Sequence, residues 1–326
     1  MTWLTWRQLR AQATAWGACL AVLAAVLAAT GPRLAGLGDP AGLAARTSTT
    51  EQGLYYGGLV LVLVLPALIG MFWGAPLIAR ELETGTHRLA WNQSVTRTRW
   101  LLTRLSLTAL AAVAVAGLGS LAVTWWSGPI DRAAATGGSE GVDPFFPRLY
   151  PLVFAARGIV PVGSAAFAFV LGATLGVLLR RTLPAMAATL GVYAGVQLAV
   201  PFWIRPHLAA PEQVTVPIDG GDLVTLGEDG LSLALDKPGA WITAQQTLDA
   251  SGHPVAALPS SVTSCGPPTP AEDCLGTLAR LHYDQRITYQ PAGHFWPLQW
   301  AETGLYLGLA LALAALCAWQ VRRGPS

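Results

Sequence analysis

Charged and turn-forming residues concentrate in one stretch of this chain, between two long apolar segments. The stretch reads Arg80-Glu81-Leu82-Glu83-Thr84-Gly85-Thr86-His87-Arg88-Leu89 and is followed closely by Val95-Thr96-Arg97. Only 12% of all residues are charged, so a local concentration of charge is informative. A membrane protein places charge in this way where a soluble partner binds it. The stretch therefore predicts that the driving chemistry lies in another polypeptide.

The same stretch can form a short helix that begins at a sharp turn. Gly85 permits the turn, and Thr86 can cap a helix over residues 87–93. This helix would place Leu89 and Trp91 on its surface, where apolar side chains need a partner or lipid. It could transmit a push from a soluble subunit to both flanking spans. The alternative is a solvated loop whose charges only keep it in the cytoplasm.

Sequence patterns for catalysis are missing. The phosphate-binding loop Gly-x4-Gly-Lys-Ser/Thr is absent, and the single lysine, Lys237, stands in Asp-Lys-Pro-Gly. No His-Glu-x-x-His zinc pattern and no Gly-x-Ser-x-Gly nucleophile turn occurs. We therefore expect no enzyme activity, no metal site and no bound cofactor in this chain. The net charge of +2 and the scattered basic residues also argue against a nucleic-acid partner.

Composition points to a polytopic membrane protein. The chain is 53% hydrophobic, whereas a soluble domain carries about twice as many charged residues as this one. A membrane-crossing helix needs about 20 apolar residues. Six windows meet or approach this length: 13–30, 54–78, 101–126, 158–179, 183–204 and 300–320. Arg157 and Glu302 stand at window edges, where we expect them to snorkel toward water.

The distribution of arginine sets the predicted orientation. With the N-terminus inside, the cytoplasmic segments are 1–12, 79–100, 180–182 and 321–326, and they are rich in arginine. Their acids are Glu81 and Glu83, and the other sixteen acids fall outside. The prediction is a plasma-membrane protein with six spans and both termini in the cytoplasm.

The N-terminal residues allow two interpretations. Trp3, Leu4, Trp6 and Leu9 recur near helical spacing, with Arg7 and Arg10 among them. This pattern suits a helix lying in the inner membrane interface before span 1. The same residues could equally be the frayed start of that span.

Residues 205–299 are long enough to form a small extracytoplasmic domain. Apolar and polar residues alternate at 214–216, 223–226 and 231–235, with turn signals between them, so we expect β-strands. Cys265 and Cys274 flank a loop rich in Pro and Gly and would form a disulfide outside the cytoplasm. The alternative is two unrelated thiols. The predicted fold is an all-α polytopic membrane protein with six transmembrane helices, an N-terminal interfacial helix and this small β-containing domain.

Few polar residues lie inside the spans. Tyr193 and Gln197 are one helical turn apart in span 5 and could line a pathway, but a hydrogen bond between helices is the favoured explanation. Two glycine pairs, Gly172 with Gly176 and Gly191 with Gly195, suggest close helix packing within or between subunits. Because no acid or histidine lies within a span, an internal ion relay is not expected, and the energy must come from elsewhere.

The charged stretch resembles that of ATP-binding-cassette (ABC) exporter permeases of the type-2 membrane family. These permeases often carry a run like Arg-Glu-x-Glu-x-Gly-Thr-x-x-Leu, here Arg80 to Leu89, then Val-Ser/Thr-Arg, here Val95 to Arg97. Six spans with both ends inside and a large outer loop before span 6 fit the same family. The run from Phe295 to Trp300 before a last span that ends in Arg-Arg also resembles actinobacterial members, and the Arg-rich, Lys-poor composition agrees. Arg88 stands where many members have an acid, and Ser94 where many have a proline.

The resemblance implies a complex of two permeases and two ATPase subunits. ATP and Mg²⁺ would bind in the ATPase dimer, and the second permease would be an identical copy or a paralogue in the lipid membrane. The stretch would be the coupling helix of this complex. Its predicted ATPase-coupling residues are Arg80, Glu81, Glu83, Gly85, Thr86, His87, Leu89, Trp91 and Arg97.

Two functions are therefore weighed. The first is a permease subunit that exports an amphiphilic or hydrophobic drug, lipid or peptide. It would comprise residues 1–204 with the coupling loop 79–100, the outer domain 205–299, and the last span with its tail, 300–326. The alternative is a membrane receptor or immunity protein that binds an extracellular ligand through residues 205–299.

Overall fold

The computed structural model describes residues 2–36, 47–84, 97–135, 145–218, 223–227, 230–233, 237–255, 280 and 282–323. Most of these residues are helical. The α-helices are α1 (Thr2–Gly36), α2 (Thr49–Ile69), α3 (Ala75–Thr84), α4 (Arg97–Ala135), α5 (Pro151–Ala155), α6 (Val160–Leu179), α7 (Thr182–Ala199) and α8 (Phe295–Arg323). The π-helical segments Gly70–Gly74 and Val200–Ile204 extend α2 and α7, and 3-10 turns occupy Arg205–His207 and Ala292–His294.

Six helical stretches in the described ranges are long and apolar enough to cross a membrane, as the sequence predicts. Span 1 lies in α1, and span 2 runs from α2 through the first π-helical segment into α3. Spans 3, 4, 5 and 6 are α4, α6, α7 and α8. Successive spans run in alternate directions, so the bundle has two ends. The end where span 2 leads into span 3 is called the loop end, and the end that carries the β-strands is called the sheet end.

Span 4 is the central helix of the bundle. In span 4, 78% of the residues are buried, whereas only 17–22% of the residues are buried in spans 1, 5 and 6. The helix packs against spans 2, 3, 5 and 6. The outer spans consequently expose most of their apolar surface, as expected for helices that face lipid.

Glycines bring the backbones of spans 2 and 4 into direct contact. A methyl group built on Gly70 would lie 2.5 Å from the carbonyl oxygen of Ala168, and one on Gly176 would lie 2.6 Å from that of Ala75. Gly172 faces Gly70 in the same way. The pair Gly172 and Gly176 thus packs within one chain, as small residues do between membrane helices.

The helix of span 2 extends beyond its predicted window, 54–78, in both directions. It begins with a capping box in which Ser48 and Glu51 bond reciprocally. It then passes Pro76 and continues to Thr84. Proline lacks a backbone N–H and clashes with the preceding turn. The wider π-helical segment Gly70–Gly74 directly before it accommodates this local defect.

The predicted β-structure between spans 5 and 6 is confirmed in outline. The strands are β1 (Glu212–Pro217), β2 (Leu223–Gly227), β3 (Gly230–Leu233), β4 (Trp241–Leu248) and β5 (Asp284–Gln290). One antiparallel sheet has the order β1-β5-β4, and β2 pairs with β3 in a separate hairpin. In the three-stranded sheet Val214 lies opposite Ile287, and Gln245 lies opposite Ile287 on the other side. Burial alternates along β4 and β5, so one face of the sheet is covered.

The N-terminal residues and span 1 belong to the same helix. Residues Thr2–Gly36 form a single uninterrupted helix. A separate interfacial helix before span 1 is therefore not confirmed, because lying in the membrane plane would require a break between the two parts.

Replacement of Gly172 by alanine tests the contact between spans 2 and 4. The added methyl group would overlap the backbone of Gly70 and lie 2.8 Å from the nitrogen of Ala75, so we expect a loss of about 1–3 kcal/mol in the free energy of unfolding. The measurement is thermal unfolding of the purified chain in detergent. Gly308→Ala in span 6 is the control, because a methyl group there meets none of the described residues within 4 Å. Equal stability of both variants would contradict this packing.

Candidate functional site

At the loop end, the two acids of the charged stretch bind other spans. Glu81 lies in α3 at the end of span 2, and its carboxylate accepts a hydrogen bond from the Arg104 guanidinium near the start of span 3. The two side chains form an ion pair with 22% and 10% exposure. Ion pairs that are shielded from water in this way lose less to salt screening than fully exposed ones. Glu81 thus connects the two spans that flank residues 85–96.

Glu83 joins span 2 to span 5. Its Oε2 accepts hydrogen bonds from the Thr182 hydroxyl at 2.7 Å and from the Thr182 backbone N–H at 3.2 Å. Thr182 is the first residue of α7, whose N-terminal N–H groups have no partner inside the helix. The hydroxyl and then the N–H of Thr182 hold the pKa of Glu83 below its ordinary value. Glu83 therefore acts as a helix cap supplied from another span.

Span 4 and span 5 meet at the same end through a very short turn. Arg180 ends α6 in the left-handed backbone conformation, with φ of 54°, and its N–H bonds to the carbonyl oxygen of Gly176. Arg181 then precedes α7. The turn holds the start of span 5 beside the central helix, within reach of Glu83.

The structure describes two of the remaining predicted coupling residues, Arg80 and Arg97. Arg80 is exposed at the end of span 2. Arg97 begins α4. Gly85, Thr86, His87, Leu89 and Trp91 lie outside the described residues, and the helix expected over 87–93 stays a prediction. The described contacts nevertheless fix both ends of this segment to spans that are themselves linked to one another.

A buried ion pair closes the sheet end. Arg205 follows span 5, and its Nε and Nη2 donate to the two oxygens of Glu302 in span 6 at 2.7 and 3.0 Å. Both side chains have 0% exposure. The third nitrogen, Nη1, donates to the carbonyl oxygen of Pro151 at 2.9 Å, and the guanidinium lies 4.3 Å from the Phe154 ring centre. The pair thereby links span 5, span 6 and α5.

This pair corrects the expectation that Glu302 snorkels toward water. Bidentate hydrogen bonds to Arg205 replace the water that the carboxylate would otherwise need. Arg157 also fails to snorkel, because its side chain has 0% exposure and lies 3.6 Å from Asp131. In both pairs, the sequence places an acid and an arginine at the ends of two consecutive spans that meet at the sheet end. This signal appears only when consecutive spans are considered together.

Gln299 forms a second polar link at the sheet end that the sequence did not reveal. Its Oε1 accepts from the backbone N–H groups of Ile159 and Val160, at the start of span 4. Its Nε2 donates to the carbonyl oxygen of Phe154. The side chain therefore caps the central helix from span 6. Gly158, with φ of +63°, lies so close to Gln299 that a side chain there would meet it.

Gln197 forms a hydrogen bond between helices, the favoured explanation for this pair, but its partner is Tyr306 of span 6, and its bond to Tyr193 lies within span 5. Gln197 donates to the Tyr193 hydroxyl and accepts from the Tyr306 hydroxyl of span 6 at 2.7 Å. Tyr193 is 3% exposed and packs beside Phe167 of span 4. A role in lining a pathway stays a proposal for these two residues.

The structure describes two of the four cysteines. Cys19 and Cys317 are unpaired in the described part of the chain. Cys265 and Cys274 lie outside it, so their disulfide stays a prediction. Among the residues that the structure describes, no cluster of three or more His, Cys, Asp or Glu side chains could hold a metal ion.

Together these contacts make span 2 a connecting element at the loop end. It is bound to span 3 through Glu81, to span 5 through Glu83 and to span 4 through its glycines. A force on residues 85–96 would therefore reach three other spans. The arrangement can transmit motion between these spans.

Comparison with models of known protein families gives a match over more than half of the chain. A family model described as ABC-2 membrane transporter related matches residues 17–205. This range covers spans 1 to 5 and ends at Arg205. Neither the comparison with curated proteins nor that with solved structures gives a match.

The contact between Glu83 and Thr182 predicts a pH-dependent stability. The pKa of Glu83 is lowered in the folded chain, so the contact stabilises the fold above the ordinary carboxyl pKa of about 4.3 and is lost as the pH falls below it. We expect Glu83→Gln to have a lower Tm than the unsubstituted chain at pH 7, and we expect this difference in Tm to disappear as the pH falls through the lowered pKa of Glu83 in the folded chain.

The comparison is made by thermal unfolding in detergent across this pH range. Arg181→Gln is the control, because it removes an exposed neighbouring charge and leaves the hydrogen bonds in place. A Tm difference between Glu83→Gln and the unsubstituted chain that is independent of pH would contradict the role of the carboxylate.

The Arg205 pair predicts a large effect of single substitutions. Glu302→Leu leaves a buried guanidinium without its carboxylate, and we expect a loss of about 3–5 kcal/mol in the free energy of unfolding. The double variant Arg205→Met with Glu302→Leu should recover most of this loss, because no charge stays unpaired. Denaturant unfolding of the three proteins checks the prediction. A double variant less stable than Glu302→Leu would show that the pair has another role.

Proposed function

Because the chain belongs to the ABC-2 membrane transporter related family, we propose that it is the permease subunit of an ATP-driven exporter. The loop end would face the cytoplasm of a bacterial cell, with both chain termini on that side of the plasma membrane. The sheet end would face outward. The distribution of arginine supports this orientation, since the segments at the loop end are rich in it.

One observation carries the proposal. The helix of span 2 continues as α3 to Thr84, and the two acids near its end are bound to spans 3 and 5. Residues 85–96 start directly after these contacts. An ATPase that docks on this segment would act on span 2 and, through Glu81 and Glu83, on two further spans.

The proposed complex contains an ATPase dimer and a second permease copy, identical or a paralogue. ATP and Mg²⁺ would be bound by the ATPase subunits, and this chain would contribute no cofactor site. Gly85, Thr86, His87, Leu89 and Trp91 would form the docking helix, flanked by Arg80 and Arg97. ATP binding would bring the ATPase subunits together and shift the permease pair between inward- and outward-facing states.

Span 5 offers a surface for the second copy. A methyl group built on Gly191 or Gly195 would meet none of the described residues within 4 Å, and Leu190 and Val192 beside them are exposed. Small residues on an exposed membrane helix allow close contact with another helix. Lipid can cover the same surface in the absence of a partner.

The proposed cargo is an amphiphilic or hydrophobic molecule, such as a drug, lipid or peptide. The spans carry large exposed apolar side chains, including Leu183, Leu198 and Phe202 in and beside span 5. Tyr193 and Gln197 would supply hydrogen-bonding groups if the pathway opens between spans 5 and 6.

Co-purification tests the proposal. The full chain is expressed with its candidate ATPase subunit, isolated in mild detergent and assayed for bound ATPase. We expect Leu89→Ala with Trp91→Ala to reduce the bound ATPase by about tenfold or more, equivalent to at least about 1.4 kcal/mol of binding free energy. The Tm of the permease should not change.

Trp296→Ala is the matched control, because this tryptophan is 52% exposed at the sheet end. Equal loss with the control, or full binding by the Leu89 and Trp91 variant, would contradict docking at residues 85–96. If no ATPase binds, and if deletion of residues 205–299 abolishes the phenotype whereas substitutions in residues 85–96 do not, the receptor function is favoured instead.

A further inference from the structure

A small cavity at the sheet end contains charged side chains whose hydrogen bonds are incomplete. It has a volume of about 70 Å³ and lies between the end of span 3 and the start of span 6. Its charged walls are Asp131 and Arg148, and Leu149, Ala292 and Phe295 form apolar walls. The cavity does not include any residue assigned above to coupling or to the Arg205 pair.

Asp131 presents an unused acceptor. The residue is 6% exposed. Its Oδ2 lies 3.4 Å from the Ser127 hydroxyl and 3.6 Å from the Arg157 Nε. The other oxygen, Oδ1, is buried and accepts no hydrogen bond from the described residues. A buried carboxylate oxygen without a partner is unfavourable, so a group that donates a hydrogen bond would stabilise it.

Arg148 presents an unused donor at the same cavity. Its guanidinium carbon lies 3.9 Å from the centre of the Phe295 ring, which holds the group in place. Its Nε is buried and donates to no acceptor within the described ranges. A group that accepts a hydrogen bond and is negatively charged would satisfy it.

Arg157 adds positive charge behind Asp131. Its side chain has 0% exposure, and none of its three guanidinium nitrogens has a hydrogen-bond partner in the described part of the chain. Arg148 and Arg157 together carry two positive charges against one negative charge on Asp131. Because Arg157 is fully buried and Arg148 is half-buried, water shields this excess of positive charge only in part, which favours an anion.

The depth of the cavity in the membrane identifies the kind of anion. Asp131 lies at the last turn of the apolar part of span 3, which ends at Arg132. Trp296 and Trp300, both exposed, lie at the start of span 6 beside Phe295. Exposed tryptophans of this kind mark the level of lipid headgroups. The cavity is therefore placed where phosphate groups of phospholipids occur.

We propose that this cavity binds a phosphate group that has a hydrogen-bond donor beside it. The phosphate oxygens accept from the Arg148 Nε, and the donor bonds to the Asp131 Oδ1. A phosphatidylethanolamine headgroup, with its ammonium, has this chemistry, and so does monohydrogen phosphate. The site does not depend on the proposed exporter function.

Equilibrium binding to the full purified chain in nonionic detergent tests the proposal. The probes are short-chain phosphatidylethanolamine, short-chain phosphatidylcholine, inorganic phosphate and sulfate, each titrated by calorimetry. Phosphatidylcholine and sulfate lack the donor. We expect phosphatidylethanolamine or inorganic phosphate to bind at least about tenfold more tightly than its counterpart without a donor.

Variants assign the binding to the cavity. Arg148→Gln should weaken binding by about tenfold or more, whereas Arg132→Gln, an exposed arginine next to Asp131, should leave it within about twofold. Asp131→Asn should remove the preference for probes with a donor. If Arg148→Gln does not fold, Arg148→Lys replaces it, and we expect the retained charge to preserve part of the binding.

The two sources of phosphate give distinguishable results. Saturable binding of inorganic phosphate that competes with the lipid indicates a free-phosphate site. Binding of phosphatidylethanolamine without competition from inorganic phosphate indicates a lipid site. The proposal is overturned if no probe binds saturably, if probes without a donor bind equally well, or if Arg148→Gln and Arg148→Lys both bind like the unsubstituted chain.

Discussion

Direct backbone contact between spans 2 and 4 is the constraint on which the rest of the structure depends. Gly70, Gly74, Gly172 and Gly176 have no side chains, so the backbones of the two helices touch at these positions. In a membrane the helices gain little from the hydrophobic effect on association, so close packing is their main attraction. Span 4 is in turn the most buried span, and the remaining spans are positioned around this pair.

Polar links hold the helices together at both ends of the bundle. Glu81 and Glu83 hold the loop end, where they reach spans 3 and 5 from a helix that is already fixed to span 4. Arg205, Glu302 and Gln299 hold the sheet end, where they join span 6 to span 5, α5 and the start of span 4. Between the two ends, the Gln197 amide links spans 5 and 6, because it accepts from the Tyr306 hydroxyl of span 6 and donates to the Tyr193 hydroxyl of span 5. Rigid links of this kind allow helices to move as a group when one of them is pushed.

Much of the fold follows from local properties of the sequence. Apolar length predicts the six spans, and alternation predicts strands near β1, β2 and β3. The strands β4 and β5 were not predicted, although β5 is the central strand of the larger sheet. Its residues include Arg286 and several other polar groups, so its position depends on pairing with strands about 40 and 70 residues away.

The polar contacts were harder to predict for the same reason. Glu81 and Glu83 drew attention through their motif, but their partners, Arg104 and Thr182, lie on other helices. The Arg205 pair joins residues 97 positions apart, and each alone resembles a charge at a membrane edge. Sequence periodicity identifies which residues are in a helix, whereas helix packing determines which ends meet.

We propose that motion of residues 85–96 reaches spans 3 and 5 through Glu81 and Glu83. The most direct measurement compares ATP-driven movement of an amphiphilic dye in proteoliposomes that contain the assembled complex, with and without the double substitution Glu81→Gln and Glu83→Gln. We expect the double variant to keep its bound ATPase and its ATP hydrolysis but to move dye at a small fraction of the original rate. Unchanged dye movement by a complex with intact ATP hydrolysis would contradict coupling through these two acids.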